Sequence, residues 1–133
     1  MAITATTVRN AAMQHLFGIT PWTAPLNFYV ALSISAPNAD GTNVSEPIGN
    51  GYSRAEQVGW IETAPGGLDT VENSTSLLFP TLTGDWGTIS HFVIYDASIA
   101  GNFLAYGALT NAIKPVSGDT PYFAAGEIKV KPA

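Results

Sequence analysis

From residue 26 onward, short runs of branched and aromatic residues alternate with clusters of Gly, Pro, Asn and Asp. This punctuation is the strongest constraint on the fold. Gly, Pro, Asn and Asp supply the backbone angles and local hydrogen bonds of turns. The runs between them suit strands better than helices. "LNFYVALSIS" (26–35) places Phe28, Val30, Leu32 and Ile34 on one face by period-two alternation. "ISHFVIYDA" (89–97) places Ile89, His91, Val93 and Tyr95 on one face and Ser90, Phe92, Ile94 and Asp96 on the other. Both faces carry large apolar groups, which predicts a central strand.

The same reading assigns strand regions to 52–63, 68–79, 103–110 and 122–133. Gly59 marks a bulge or bend in the first of these. "SIAGN" (98–102) is a tight connection, which makes "FLAYGALT" (103–110) the antiparallel partner of 89–97. In the last region Ile128 and Val130 alternate against Lys129 and Lys131. "APGG" (64–67) reads as a turn, and "SGD" (117–119) is another turn signal. "APNADGTNVSEPIGNG" (36–51) is too long for a hairpin turn and reads as a surface loop. About seven or eight short strands with this turn chemistry predict an all-β fold, an antiparallel, jelly-roll-like β-sandwich with a short N-terminal α-helix.

The helix comes from "TATTVRNAAMQHLFGIT", where Val8, Ala12, His15, Leu16 and Ile19 fall roughly at helical spacing. Thr6 or Thr7 can cap its start, Gly18 can close its end, and Pro21 forbids continuation. The predicted organisation is an N-terminal helical segment (1–24) followed by a single β-sandwich domain (25–133). A chain of 133 residues suits one domain.

Charge narrows the function classes. Only 11% of residues are charged, against about a quarter in ordinary soluble domains. Such a neutral surface suits a protein covered by neighbours in an assembly. The net charge is −5, with three Lys and two Arg and no basic cluster. A nucleic-acid binder needs several cations on one face, so that class is excluded. No run approaches the ~20 apolar residues of a membrane helix, and "MAITATTVRN" lacks the pattern of a secretory signal. The expectation is folding in the cytoplasm without a membrane partner. The absence of Cys excludes thiol catalysis, disulfides and Cys-based zinc sites.

The motifs of catalysis are missing too. There is no GxSxG and no GxxxxGK[ST]. His15 and His91 have no i,i+4 partner and read as packed, hydrogen-bonded imidazoles. The acids show no spacing that singles out a catalytic pair. "NADGTNVSE" (38–46) lacks the spaced acids of a calcium loop and reads as an Asx-type turn. The remaining candidate is "TGDWG" (83–87). There Gly84 and Gly87 can take positive φ, Asp85 can accept local backbone N–H bonds, and Trp86 can fold over the core as a plug. The expectation is a structural turn rather than a catalytic carboxylate. No enzymatic activity, cofactor or metal is expected.

Several stretches in order resemble the small tail-fibre-like virion proteins of tailed bacteriophages. Ala31 to Ser35, Glu46-Pro47 and Gly51 to Arg54 are similar to that family's "ALST", "EP" and "GYAR". "NSTSLLFPTLTGDWGTISHFVIYDASIAGNFLAYGALT" resembles its core signature, an Asn and a strand ending in "FP", then "GDWG", a "YDA" step and "GNLLAYG". "GDTPYFAAGEIKV" resembles its closing segment. The similarity runs from about residue 27 to residue 131. It implies a phage virion structural protein without catalytic activity. The compact, shaftless sequence favours capsid decoration: a cement protein on the outer surface of the head. Its partners would be the major capsid protein of the same phage and, by analogy, two further copies in a homotrimer. The alternative is a tail fibre or baseplate-associated protein, or a carbohydrate-binding module for host attachment. Candidate contact residues are Val8, Ala12, Leu16 and Phe17 of the N-terminal segment and Asn38, Asp40 and Asn43 of the long loop.

Overall fold

The computed structural model describes residues 2–64 and 68–132; most of the turn read at 64–67 lies outside the described residues. In chain order the elements are β1 (Ala2–Thr4), α1 (Thr6–Leu16), β2 (Tyr29–Ser33), β3 (Ala55–Glu56), β4 (Trp60–Ala64) and β5 (Leu68–Asn73). There follow β6 (Leu77–Leu78), β7 (Ile89–Tyr95), β8 (Phe103–Ile113), β9 (Tyr122–Phe123) and β10 (Lys129–Lys131). Eight of the strands form one sheet in the order β3-β2-β7-β8-β1-β10-β5-β4, and β6 pairs with β9 in a second, two-stranded sheet. The fold is mostly β with one short helix.

The connectivity forces the large sheet to curl. β3 and β4 lie at its opposite ends, yet Glu56 and Trp60 are four residues apart in the chain. Four residues reach at most about 14 Å. Laid flat, eight strands would separate the outer two by roughly 34 Å. The ends therefore bend round until they nearly meet. At the seam the rings of Phe28 and Trp60 touch edge to face, 5.9 Å apart. The core fills the inside of this curl: Val30 and Leu32 of β2, Ile89, Phe92 and Ile94 of β7, Ala105 of β8 and Val130 of β10, with Phe79, Leu82, Trp86 and Ile128 from the connections.

β7 pairs with β2 on one side and β8 on the other, as its apolar faces predict. Phe92 is 3% exposed on one face and Val93 0% on the other. Three local details differ from the sequence reading. The register of β7 against β8 shifts between Ile89 and His91, and Ile89 joins Phe92 and Ile94 in the core instead of sharing a face with Val93. The sequence reading had no strand before residue 26, but Ala2–Thr4 is inserted between β8 and β10, parallel to β10. Three residues are too short for a periodic signal. The helix is capped by neither Thr6 nor Thr7: Ala5 occupies the N-cap with no side-chain bond. Thr6 Oγ1 instead accepts a bond from Arg9 at 3.1 Å. At the other end Gly18 does take the left-handed conformation, φ +71°, as a helix terminator should.

Candidate functional site

The stretches that carry the family resemblance meet one another in space, and each meeting is a joint between two of them. The first joins 83–87 to 49–52. Trp86 is 3% exposed and sits in the core. Its indole N–H donates to the Asn50 carbonyl at 2.9 Å, and its ring stands edge-on to Tyr52 at 5.1 Å. Asn50 Nδ2 donates in return to the Asp85 carbonyl at 2.9 Å. Gly84 approaches so closely that an added Cβ would lie 2.7 Å from the Asn50 side chain. Gly87 has φ +87°. Asp85 itself is exposed, its side chain outside this joint.

The second joint links "EP" to "GYSR". Arg54 grips Glu46 with two bonds, Nε at 3.0 Å and the second fork nitrogen at 2.8 Å. Its remaining nitrogen donates to the carbonyls of Ala97 (2.9 Å) and Ala100 (2.7 Å). The guanidinium lies over the Tyr95 ring, 3.8 Å from its centroid. Tyr52 adds its hydroxyl to Glu46 at 2.7 Å while accepting the Leu32 N–H at 3.1 Å. Burial alone would raise the Glu46 pKa; the bonds from Arg54 and Tyr52 outweigh it and hold the carboxyl below its ordinary value. Tyr52 is pushed up, by burial first and then by its bond to Glu46. Such a fixed, charge-satisfied group is an anchor. It fastens the long loop and the 97–101 turn to the outer face of the sheet.

A third joint is Asn73, fully buried. Its side-chain nitrogen donates to Thr75 (2.8 Å) and Ala124 (3.0 Å), and its oxygen accepts from the Ile128 N–H (3.0 Å). It pins the C-terminal stretch to β5. A fourth brings "GDT" to "TLTG": Gly118 N–H donates to Leu82 O at 2.8 Å, and Leu82 N–H to Asp119 O at 2.9 Å. In the "YDA" step, Asp96 accepts the Asn102 N–H at 2.6 Å and its side-chain nitrogen at 2.8 Å, closing the 96–102 turn.

The long-loop candidates are exposed and hold their own turn together. Asp40 accepts both the N–H (3.0 Å) and the hydroxyl (2.6 Å) of Thr42, Asn38 donates to that hydroxyl (2.9 Å), and Asn43 donates to Ala36 O (2.8 Å). His15 Nδ1 accepts the Trp22 N–H at 3.2 Å, and His91 Nδ1 lies 2.8 Å from Ser90 Oγ. Among the described residues no three His, Asp or Glu side chains converge as metal ligands would.

The N-terminal candidates are arranged differently. No residue of α1 is buried. Val8 is half-buried against the body, while Ala12 is exposed. Met13, Leu16 and Phe17 lie one turn apart on a helix face and are 54%, 71% and 69% exposed; Ile19, just beyond, is 72% exposed. Further apolar side chains stand in solvent: Ile48 at 95% and Ile99 at 84%, in stretches read as loop and turn, and Leu26 at 91% and Val58 at 85%, in stretches read as strand that the structure leaves outside β2, β3 and β4. A signal for Ile48 was present, since it stands alone among Pro47, Gly49 and polar neighbours.

The chain is therefore braced from within by the stretches that look most like motifs, and its unsatisfied surface is apolar. That is the profile of a subunit in an assembly. No curated protein matches it. A family model described as podophage GP4 fiber I protein gp80 matches residues 3–131. The chain belongs to this family of podophage fibre proteins, and is a structural protein of the phage virion.

Proposed function

We propose that the protein is a non-catalytic component of the phage tail fibre, assembled as a homotrimer through its N-terminal segment. The observation that carries this reading is the bare face of α1. An isolated helix of 11 residues is marginal in water, and this one has no buried residue of its own. Met13, Leu16, Phe17 and Ile19 together expose on the order of 500 Å² of apolar side chain, near the upper end of what one patch on a monomer shows. Covering it contributes about 12 kcal/mol before the cost of association, itself on the order of 4–15 kcal/mol. The helix face is thus a major part of an interface, but another contact has to add to it.

The fibre family supports the tail over capsid decoration, the location that compactness alone had favoured. The low charge fits either place. The double variant L16E/F17E tests the reading. It should convert the oligomer to monomer in light scattering behind size exclusion, with the circular dichroism of the folded sheet retained and the melting temperature no longer dependent on protein concentration, and should be missing from particles. An unaltered oligomer would contradict assembly through this face. Gold-labelled antibody should mark the tail of purified particles; label over the head would return the protein to the capsid.

A further inference from the structure

β1 is the keystone of the large sheet. Without it the strand order would part into β3-β2-β7-β8 and β10-β5-β4, because β8 and β10 meet through β1. Ala2 pairs with Gly107 on one side and Val130 on the other, and both Ala2 and Ala5 are completely buried. The grip extends a little past the strand: Ala5 N–H donates to Leu104 O at 2.8 Å, and Thr6 N–H to Ala39 O at 3.0 Å. After Ala11 it stops. Every residue from Ala12 to Ala24 is exposed, and even Trp22 stands 37% open. Backbone bonds there return to the end of the helix: Ile19 N–H donates to Gln14 O at 2.8 Å, and Trp22 N–H to His15 Nδ1 at 3.2 Å. An exposed bridge thus separates the keystone strand from the body that begins at β2.

We propose that the keystone is exchanged between copies: Ala2–Thr4 of one chain fills the slot between β8 and β10 of the next, and the bridge crosses from body to body. The inference rests on the fibre-assembly reading and gives the means by which the N-terminal segment joins the copies. The slot's occupant is fixed by β1 itself, since register and burial are the same whichever copy donates the strand. Exchange of an identical element keeps every contact within the fold. The chain also has the reach. Thr4, Ala105, Ile94 and Val30 stand in one cross-strand row. That row measures roughly 14 Å from end to end at ordinary strand spacing. Residues 5–29 join its two ends, far more chain than such a gap requires. Residues 17–28 alone extend up to about 40 Å and α1 adds about 16 Å, against a body roughly 35–40 Å across.

What decides between the closed and exchanged forms lies outside the slot. A chain's own strand competes at an effective concentration on the order of 1 mM. At about 1 µM protein this favours the closed form roughly a thousandfold, so exchange needs a contact that exists only between copies. The apolar arm is that contact. Met13, Leu16, Phe17 and Ile19 are bare in the closed chain, and Leu26 is 91% exposed. When the bridge crosses, Ile19, Trp22 and Leu26 lie where two bodies meet and add to the helix face. Donor strand and slot are different surfaces, so the contact is head-to-tail and closes into a ring when its rotation allows.

The chain contains no Cys, so an engineered disulfide reports which copy donates the strand. Thr4 and Ala105 are partners across β1 and β8, and Ile3 and Lys131 across β1 and β10. Cross-strand Cα pairs lie about 4.5–5.5 Å apart, inside the range a disulfide spans. Full-length Thr4→Cys/Ala105→Cys protein is oxidised at a concentration where light scattering shows the oligomer, then run on a denaturing, non-reducing gel. Exchange predicts covalent dimers and trimers that return to single chains on reduction. Ile3→Cys/Lys131→Cys, on the other side of the strand, should give the same ladder and covers the case in which the first pair disturbs folding, as judged by circular dichroism. In the L16E/F17E background the crosslink should move inside one chain. Oligomers that yield only internally crosslinked monomers would overturn the exchange and leave assembly through α1 standing. Monomers at every concentration would overturn both. A ladder that persists with L16E/F17E would keep the exchange and overturn α1 as the contact that drives it. Folded protein in which neither pair crosslinks would show that β1 does not fill the slot, and the exchange would fall.

Discussion

Arg54→Ala should be among the most damaging single changes outside the core. The Arg54 side chain is 8% exposed and that of Glu46 26%. Removing Arg54 leaves a mostly buried carboxylate answered only by Tyr52, and leaves the Ala97 and Ala100 carbonyls without their donor. Breaking a buried pair from one side costs about 3–5 kcal/mol. Water reaches part of Glu46, so about 2–4 kcal/mol is expected here. For a chain of this size that lowers the melting temperature by roughly 10 °C. Urea unfolding followed by tryptophan fluorescence reads it directly, because Trp86 rests against Tyr52 of the same network. Arg54→Lys should recover less than half of the loss, since one ammonium cannot serve a carboxylate fork and two carbonyls together. In a double-mutant cycle with Glu46→Gln the pair should couple by ~1.5–3 kcal/mol. A loss below about 1 kcal/mol for Arg54→Ala, the level of an ordinary surface pair, would refute the idea that this clamp holds the two loops.

Trp86→Ala should cost about 3–5 kcal/mol in the same assay, whereas Asp85→Asn next to it should stay within ~0.5 kcal/mol of wild type. Gly101→Ala should shift the urea midpoint down by more than about 1 kcal/mol equivalent: Gly101 sits at φ +81°, and the new Cβ would lie 2.7 Å from Asp96 Oδ1 and 2.8 Å from Ala97 Cβ. Stability should fall on acidification below about pH 4.3, the ordinary Glu value, because the folded Glu46 binds its proton less readily than the unfolded chain does. Asp96, lowered by the Asn102 backbone N–H and then its side chain, acts in the same direction, so Glu46→Gln should flatten only part of the acid limb of a melting-temperature profile.

The strands were legible in the sequence because runs of branched and aromatic residues bounded by turn residues are a local signal, and two apolar faces marked β7 as central. β7 and β8 were placed with their pairing for this reason. β1 was hidden, since three residues cannot show a period and its place between β8 and β10 depends on chain distant in sequence. The curl was hidden for a related reason: it follows from the strand order, which no local pattern encodes. "GDWG" was read as a turn with an aromatic plug, but its partner Asn50, 36 residues away, was not foreseeable. The same holds for Glu46 and Arg54, which stood out as family-like stretches without showing that they grip each other. The exposed apolar surface was only half visible. Leu16 and Phe17 looked like a docking face, whereas the exposure of Leu26, Val58 and Ile99 depends on which neighbours fail to cover them.

The central claim is that this is a fibre subunit, and copy number in the particle tests it most directly. Quantitative mass spectrometry of purified virions, scaled to the major capsid protein, should give on the order of tens of copies, as a small set of symmetric fibres requires. On the order of hundreds, matching the lattice of the head, would contradict it.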